Sequence, residues 1–235
     1  MDGYTLNSDL MRAFRSGIGA FCYFDGARGD SVDNMIVNAI KRYCPYISVI
    51  ELAAWKEVCQ QIQYRPIKDK VQETAKVEEC DCLDLVFTKC YERPILIRQP
   101  NNTQQWPDFL IIYGHRGLGI EVKSSKHDRI VWNSGLPRIN GIYIYNGGLA
   151  IQDDISNTTY FLGQHVLTLK ERKILNDARG ANHKISRVYN DLLSDSKWSL
   201  YARPMFNYTG RFLTDEHRTQ RETAVQDFMR SFSWG

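Results

Sequence analysis

The chain has 235 residues, 43% of them hydrophobic and 24% charged, with a net charge of +3. Those values lie near globular averages, exclude a disordered chain, and leave length enough for one large hydrophobic core. No run of about 18 apolar residues could cross a bilayer as a helix, and the opening "MDGYTLNSDLMRAFRSG" lacks the basic-then-apolar order of a secretory signal, so a soluble cytoplasmic protein is expected.

The first third reads as helical. "SVDNMIVNAIKRY" carries Val32, Met35, Ile36, Ala39, Ile40 and Tyr43 at helical spacing, with Ser31 as N-cap and Asp33 in the first turn. "SVIELAAWKEVCQQI" follows, where Ser48 and Glu51 stand three apart as in a capping box. "KDKVQETAKVEEC" is polar on nearly every side and predicts a solvated helix or surface arm. Six cysteines without a secretory signal are expected to be reduced thiols. Cys80, Cys82 and Cys90 could be three zinc ligands, but their spacing is unusual for zinc and no fourth ligand lies nearby.

The texture then changes to short β-prone runs. "LDLVFTKC" and "PILIRQ" are separated by Glu-Arg-Pro, and after the turn-rich "QPNNTQQWP" come "DFLIIYG" and "GIEVKSS", joined by "HRGL" as an antiparallel hairpin. "NSGLPRING" is a loop, and "GIYIYNGG" and "TTYFLG" are further strands. Helices return with "LKERKILNDA", stopped at Gly180, then "KISRVYNDLLSD" and "DEHRTQRETAVQDFMRSF". The expected fold is a single α/β domain, bordering on α+β, with a central mixed sheet flanked by helices. Its helical N-terminal part covers about residues 1–80, the sheet about 84–162 and the helical C-terminal part about 168–232.

Charge is unevenly placed. Residues 1–115 carry 13 Lys/Arg and 15 Asp/Glu, a balance of 13 − 15 = −2, whereas residues 116–235 carry 17 and 12, a balance of 17 − 12 = +5. The basic excess begins beside an acidic and a basic residue set inside an apolar strand. Glu121 and Lys123, two apart, must point to one face while Val122 points to the other, and hairpin pairing would bring Asp108 beside them. Charge in such a strand is costly without a partner. One account is a structural ion pair in a charged hairpin. The other is a site: two close carboxylates either share a proton or bind a hard divalent cation such as Mg²⁺, and a neighbouring ammonium can orient a nucleophile or stabilise developing charge.

Pro107-Asp108 followed by Glu121-Val122-Lys123, each at a strand, resembles the PD-(D/E)xK nuclease superfamily and, most of all, its type II restriction endonucleases. The resemblance covers about residues 84–162. It implies a restriction-endonuclease-like core and a site-specific, Mg²⁺-dependent cut in double-stranded DNA. Asp108, Glu121 and the Val122 carbonyl would hold the metal, and Lys123 would serve the attacking water. An acidic residue on the first core helix often joins such sites; Asp33 fits best and Glu51 second. The family's usual helix after the Glu-x-Lys strand is replaced here by the short, turn-rich "KHDRIVWNSGLPRIN".

For DNA, the loop after that strand offers Lys126, Arg129, Asn133 and Arg138 to base edges, with Trp132 able to stack or to cover the core. The following helix offers Lys170, Arg172, Lys173, Arg179, Lys184 and Arg187 to phosphates, against Glu171 and Asp177. A palindromic duplex site would need two active sites and hence a homodimer; the apolar side of the final helix, with Ala224, Val225, Phe228, Met229 and Phe232, could serve as core or as dimer interface. A companion DNA methyltransferase acting on the same site is a possible partner. The nearest rivals are a junction resolvase, a repair nuclease or a transposase subunit of the same superfamily, and outside enzymes a non-catalytic DNA-binding module.

Overall fold

In a computed structural model, residues 2–20, 30–51, 54, 57–58, 60–61, 64–76, 85–101, 106–125, 129–132, 135–147, 158–192, 205–207 and 215–235 are described. The chain opens with α1 (Gly3–Arg12), whose first turn is capped by Asp2 accepting from the Thr5 N–H at 2.8 Å. Leu6, Leu10, Ala13 and Phe14 bury one face as the helix runs on through a π turn and a 3₁₀ turn to Ala20. Helix α2 (Asp30–Tyr43) buries Val32, Ile36, Ala39 and Ile40, the predicted stripe. It begins one residue before Ser31, slightly earlier than the sequence predicts.

Ser48–Ile50 is a strand, β1, and not the start of the expected capped helix. It pairs in parallel with β2 (Leu85–Arg98), Val49 opposite Leu96, so sheet pairing overrides the capping-box signal. Helix α3 (Arg65–Lys76) is not solvated all round, because Ile67 and Val71 are fully buried. The two runs expected on either side of Glu92-Arg93-Pro94 form the single strand β2, whose pairing slips between Val86 and Tyr91 and again before Ile95. Those irregularities absorb the proline.

Residues Phe109–Ser125 likewise form one extended run, β3. It nevertheless turns back on itself: the Val122 N–H donates to Oδ2 of Asp108 at 2.7 Å, whereas that many extended residues would span about 45 Å. Gly114 sits at φ +57, and a Cβ there would collide with the Trp234 carbonyl. At Gly119 a Cβ would run into the Trp106 ring. The hairpin thus closes on small residues, and the C-terminus is tied to its bend by the His115 N–H donating to Trp234 O at 2.8 Å.

Beyond it come β4 (Arg129–Val131), β5 (Ile142–Gly147) and β6 (Thr158–Leu162). Then follow α4 (Leu169–Leu192), β7 (Met205–Asn207) and α5 (Asp215–Ser231). The main sheet has the order β1-β2-β3-β5-β6. Its β1/β2 and β3/β5 pairs are parallel and its β2/β3 and β5/β6 pairs antiparallel, so it is mixed as expected. β4 and β7 make a separate two-stranded ladder. No helix stands among the described residues of the crossover from β3 to β5, which carries β4 instead.

Side-chain alternation gives the sheet two cores. One face packs Leu96, Ile111, Ile120 and Ile144 on α1, α2 and α5. The other gathers Ile97, Leu110, Trp132, Tyr143 and Tyr145 with Ile67 and Val71 of α3. Val225 and Met229 of α5 are buried in the first core, which settles the use of that helix's apolar side. Helix α4 does not stop at Gly180 but runs through it, and a Cβ there would meet nothing within 4 Å, so no packing requires a glycine at this place. No described helix is long and apolar enough to cross a membrane.

Candidate active site

The fold-back of β3 carries Asp108 to the backbone of Val122, between Glu121 and Lys123. Glu121 is 4% exposed, and the Lys123 Nζ donates to its Oε1 at 2.6 Å. Strand alternation sends both side chains to the aromatic face of the sheet, where register sets Glu121 beside Tyr143 and Lys123 beside Tyr145. The Lys123 ammonium lies 5.5 Å from the centre of the Trp132 ring, a cation-π arrangement. That ring stands edge-on to Tyr143 at 4.9 Å and is 4% exposed, so Trp132 belongs to the wall of the site and does not reach out to a base.

Asp108 feels this setting strongly. Burial, and then repulsion by Glu121, push its carboxyl up to about 8 against the pull of the Val122 N–H and the Lys123 ammonium, and Asp33 pushes it further. At neutral pH it therefore tends to hold a proton that an ordinary aspartate has lost. A divalent cation between the carboxylates would displace that proton, because its charge offsets both the burial and the repulsion. Among the described residues no three acidic, histidine or cysteine side chains cluster tightly enough to hold a metal. Two carboxylates are a sparse oxygen set, and a cation such as Mg²⁺, which keeps several waters, asks for few protein ligands.

Arg98, at the end of β2, was not singled out from the sequence. Its guanidinium donates to Glu51 Oε2 at 2.8 Å and to Asn34 Oδ1 at 2.9 Å, and stands 3.9 Å from Asp33 Oδ2. Both acidic candidates outside the hairpin are thus gathered by one cation, and Asp33, 6% exposed, is the one whose charge reaches Asp108. The signal was available: an arginine closing the apolar run "PILIR" is the same kind of misplaced charge as Lys123. Next to it Gln99 adopts φ +45 and donates its N–H to the Asp108 carbonyl at 2.6 Å, fixing the backbone that carries the carboxylate.

The expected DNA contacts divide. Arg138 and Arg172 are each 6% exposed and lie near Tyr143, whose hydroxyl accepts from the Arg138 N–H at 2.7 Å; in this conformation neither side chain is presented to a duplex. Burial, then Glu121, push the Tyr143 hydroxyl well above the usual tyrosine range, and the two arginines oppose that shift. Lys170, Lys173, Lys184 and Arg187 are exposed on α4. Lys126 and Asn133 lie outside the described residues, as does the Arg129 side chain, although Arg129 itself begins β4. Cys80 and Cys82 also lie outside them, and Cys90 is an exposed free thiol. Compared with known proteins, the chain matches no family model, no curated protein and no solved structure.

Proposed function

We propose that the chain is a Mg²⁺-dependent endonuclease that hydrolyses phosphodiester bonds at specific sites in double-stranded DNA, built on a restriction-endonuclease-like core. The observation that carries the reading is the meeting of Asp108, Glu121 and Lys123 at the fold-back of β3, with the Asp108 carboxyl pushed up to about 8 by burial and by Glu121. A structural ion pair needs only Glu121 and Lys123. A second, largely buried carboxylate beside them raises the electrostatic cost, and a cation-binding role accounts for its presence.

In this reading Asp108, Glu121 and the Val122 carbonyl hold Mg²⁺. The bound ion supplies Lewis-acid stabilisation of charge on the phosphate and a more acidic water. Lys123, held against Glu121 and steadied by Trp132, orients the nucleophile or stabilises charge developing on the phosphate. Asp33 and Arg98 tune the charge at Asp108 from the opposite side of the sheet. Lys173 and Arg187 on α4, with Lys126, Arg129 and Asn133 in the crossover, supply phosphate and base contacts. Cutting both strands calls for two active sites, hence a homodimer, and a DNA methyltransferase acting on the same site would protect the cell's own DNA.

The test is a digest of unmethylated plasmid and genomic DNA with and without Mg²⁺, followed by sequencing of the ends. Discrete, Mg²⁺-dependent fragments with one common end sequence are expected. Structure-selective nicking of branched DNA would instead indicate a junction or repair nuclease, and binding without cutting would indicate a DNA-binding module.

A further inference from the structure

Helix α4 is amphipathic in the wrong sense. Its shielded line is Arg172, Leu175, Asn176, Arg179, Asn182 and Ser186, with a single aliphatic side chain in six. Its open line is Ile174, Ala178, Ala181, Ile185 and Val188, and the three large members of it are 57%, 46% and 56% exposed. Solvated helices of globular proteins place these two lines the other way round.

The open line follows alternating steps of four and three residues, the seam of a left-handed helix pair and not of a helix laid on a sheet. Flanking it on one side, Lys170, Asp177 and Lys184 fall seven apart with alternating sign, while Leu175 and Asn182 on the other side are uncharged. This pattern discriminates between orientations. A parallel pair would set the charged positions against the uncharged ones and form no ion pairs. An antiparallel pair sets charged positions against charged ones, and with a dyad between Arg179 and Gly180 the Asp177 of each copy falls against Lys184 of the other. The same register opposes Ile174 to Ile185 and Ala178 to Ala181, and at the margin it sets Val188 against the aliphatic stem of Glu171. The dyad falls near the middle of Leu169–Leu192, so the two helices overlap for nearly their full length.

We infer that α4 is a self-association surface that takes a second copy of this chain, packed antiparallel through Ile174, Ala178, Ala181, Ile185 and Val188 and locked by Asp177 against Lys184 of the second copy. In the single chain Asp177 pairs only locally, with Lys173 at 3.0 Å, both side chains being well exposed. Lys170 and Lys184 are thereby assigned to the partner subunit and not to phosphates. The proposed function already calls for two copies; the inference adds the surface through which they meet, and its test uses no DNA, so that its failure leaves the cutting reaction to be judged by the digest.

The experiment is sedimentation equilibrium of the full chain between about 1 and 200 µM, a range suited to the small area that two helices bury. The parent is expected to reach twice 27.3 kDa. Ile185→Asp, at a position exposed in the single chain, should remain monomeric with an unchanged circular dichroism spectrum. Asp177→Lys and Lys184→Asp should each weaken the dimer about fivefold, and the two together should restore it. These residues lie seven apart on one helix and do not touch, so rescue can act only between chains. A parent that stays monomeric throughout, a dimer that survives Ile185→Asp, or a double variant weaker than either single one would overturn the inference.

Discussion

The fold-back of β3 and the helix α4 break the same rule in opposite directions. At the fold-back, Glu121 and Lys123 occupy strand positions beside Tyr143 and Tyr145, so charge lies where the sheet is apolar. On α4, Ile174, Ile185 and Val188 face solvent while Arg172 is buried, so apolar surface lies where the protein meets water. Each arrangement costs stability in the isolated chain, and each becomes favourable once something is bound. In the proposed function a cation would relieve the first, and in the inferred assembly a second copy of the chain would cover the second. A departure from binary patterning therefore indicates the chemistry of the missing partner: oxygen ligands ask for a metal, and a heptad seam asks for a helix.

The comparison can be tested most severely at Asp108. Asp108→Asn is expected to lower Mg²⁺-dependent cutting by about 10³-fold or more, while making the free chain more stable at pH 8 by about 1–3 kcal/mol. Unfolded Asp108 loses its proton near 3.8, whereas the folded carboxyl holds it to about 8. The stability this group contributes is thus fully present below the lower value and is lost as pH rises through the upper one. Thermal melts between pH 4 and pH 9 should show this decline in the parent and a smaller one in the variant. Cutting should conversely rise with pH, and its midpoint should move down as Mg²⁺ is increased, because metal and proton compete for the same carboxylate.

Trp132→Ala removes the ring beneath the Lys123 ammonium and its edge contact with Tyr143. A loss of about 3–5 kcal/mol in urea unfolding is expected. Arg98→Ala leaves Asp33 and Glu51 without their shared guanidinium and should cost about 1–3 kcal/mol, with cutting reduced about tenfold through the altered charge at Asp108. Arg98→Lys should restore stability better than activity, since a single ammonium does not reproduce the reach of a guanidinium that bonds Asn34 and Glu51 and stands beside Asp33. The smallest effect belongs to Gly180→Ala. Its Cβ meets nothing, so α4 should gain about 0.5–1 kcal/mol, with no change in cutting.

The hairpin was legible in the sequence because its signal is local: two apolar runs, a glycine-containing link, and charges whose period fixes their shared face. The helix that carries Asp33 was legible for the same reason, since its apolar positions are strongly periodic. Where the reading failed, long-range pairing decided the outcome. Ser48 and Glu51 carry a sound capping pattern, but Val49 and Ile50 find β2 alongside and become a strand. Glu92-Arg93-Pro94 looked like a break because proline removes a ladder hydrogen bond, yet two slips in pairing carry β2 through it. The role of Arg98 needed the sheet and α2 to be assembled first, for its partners lie 47 and 64 residues away. Arg138 and Arg172 were expected at the DNA because they are basic, and only tertiary packing reveals that they are buried near Tyr143.

Lys123→Ala tests the central claim most directly, because it removes the ammonium that donates to Glu121 while both carboxylates stay in the sequence. DNA binding and cleavage should be measured side by side on the same duplex, with Mg²⁺ for cutting and Ca²⁺ for binding. The proposed function predicts binding within a fewfold of the parent and cutting reduced about 10²- to 10³-fold. Unaltered Mg²⁺-dependent cutting by the variant would contradict it.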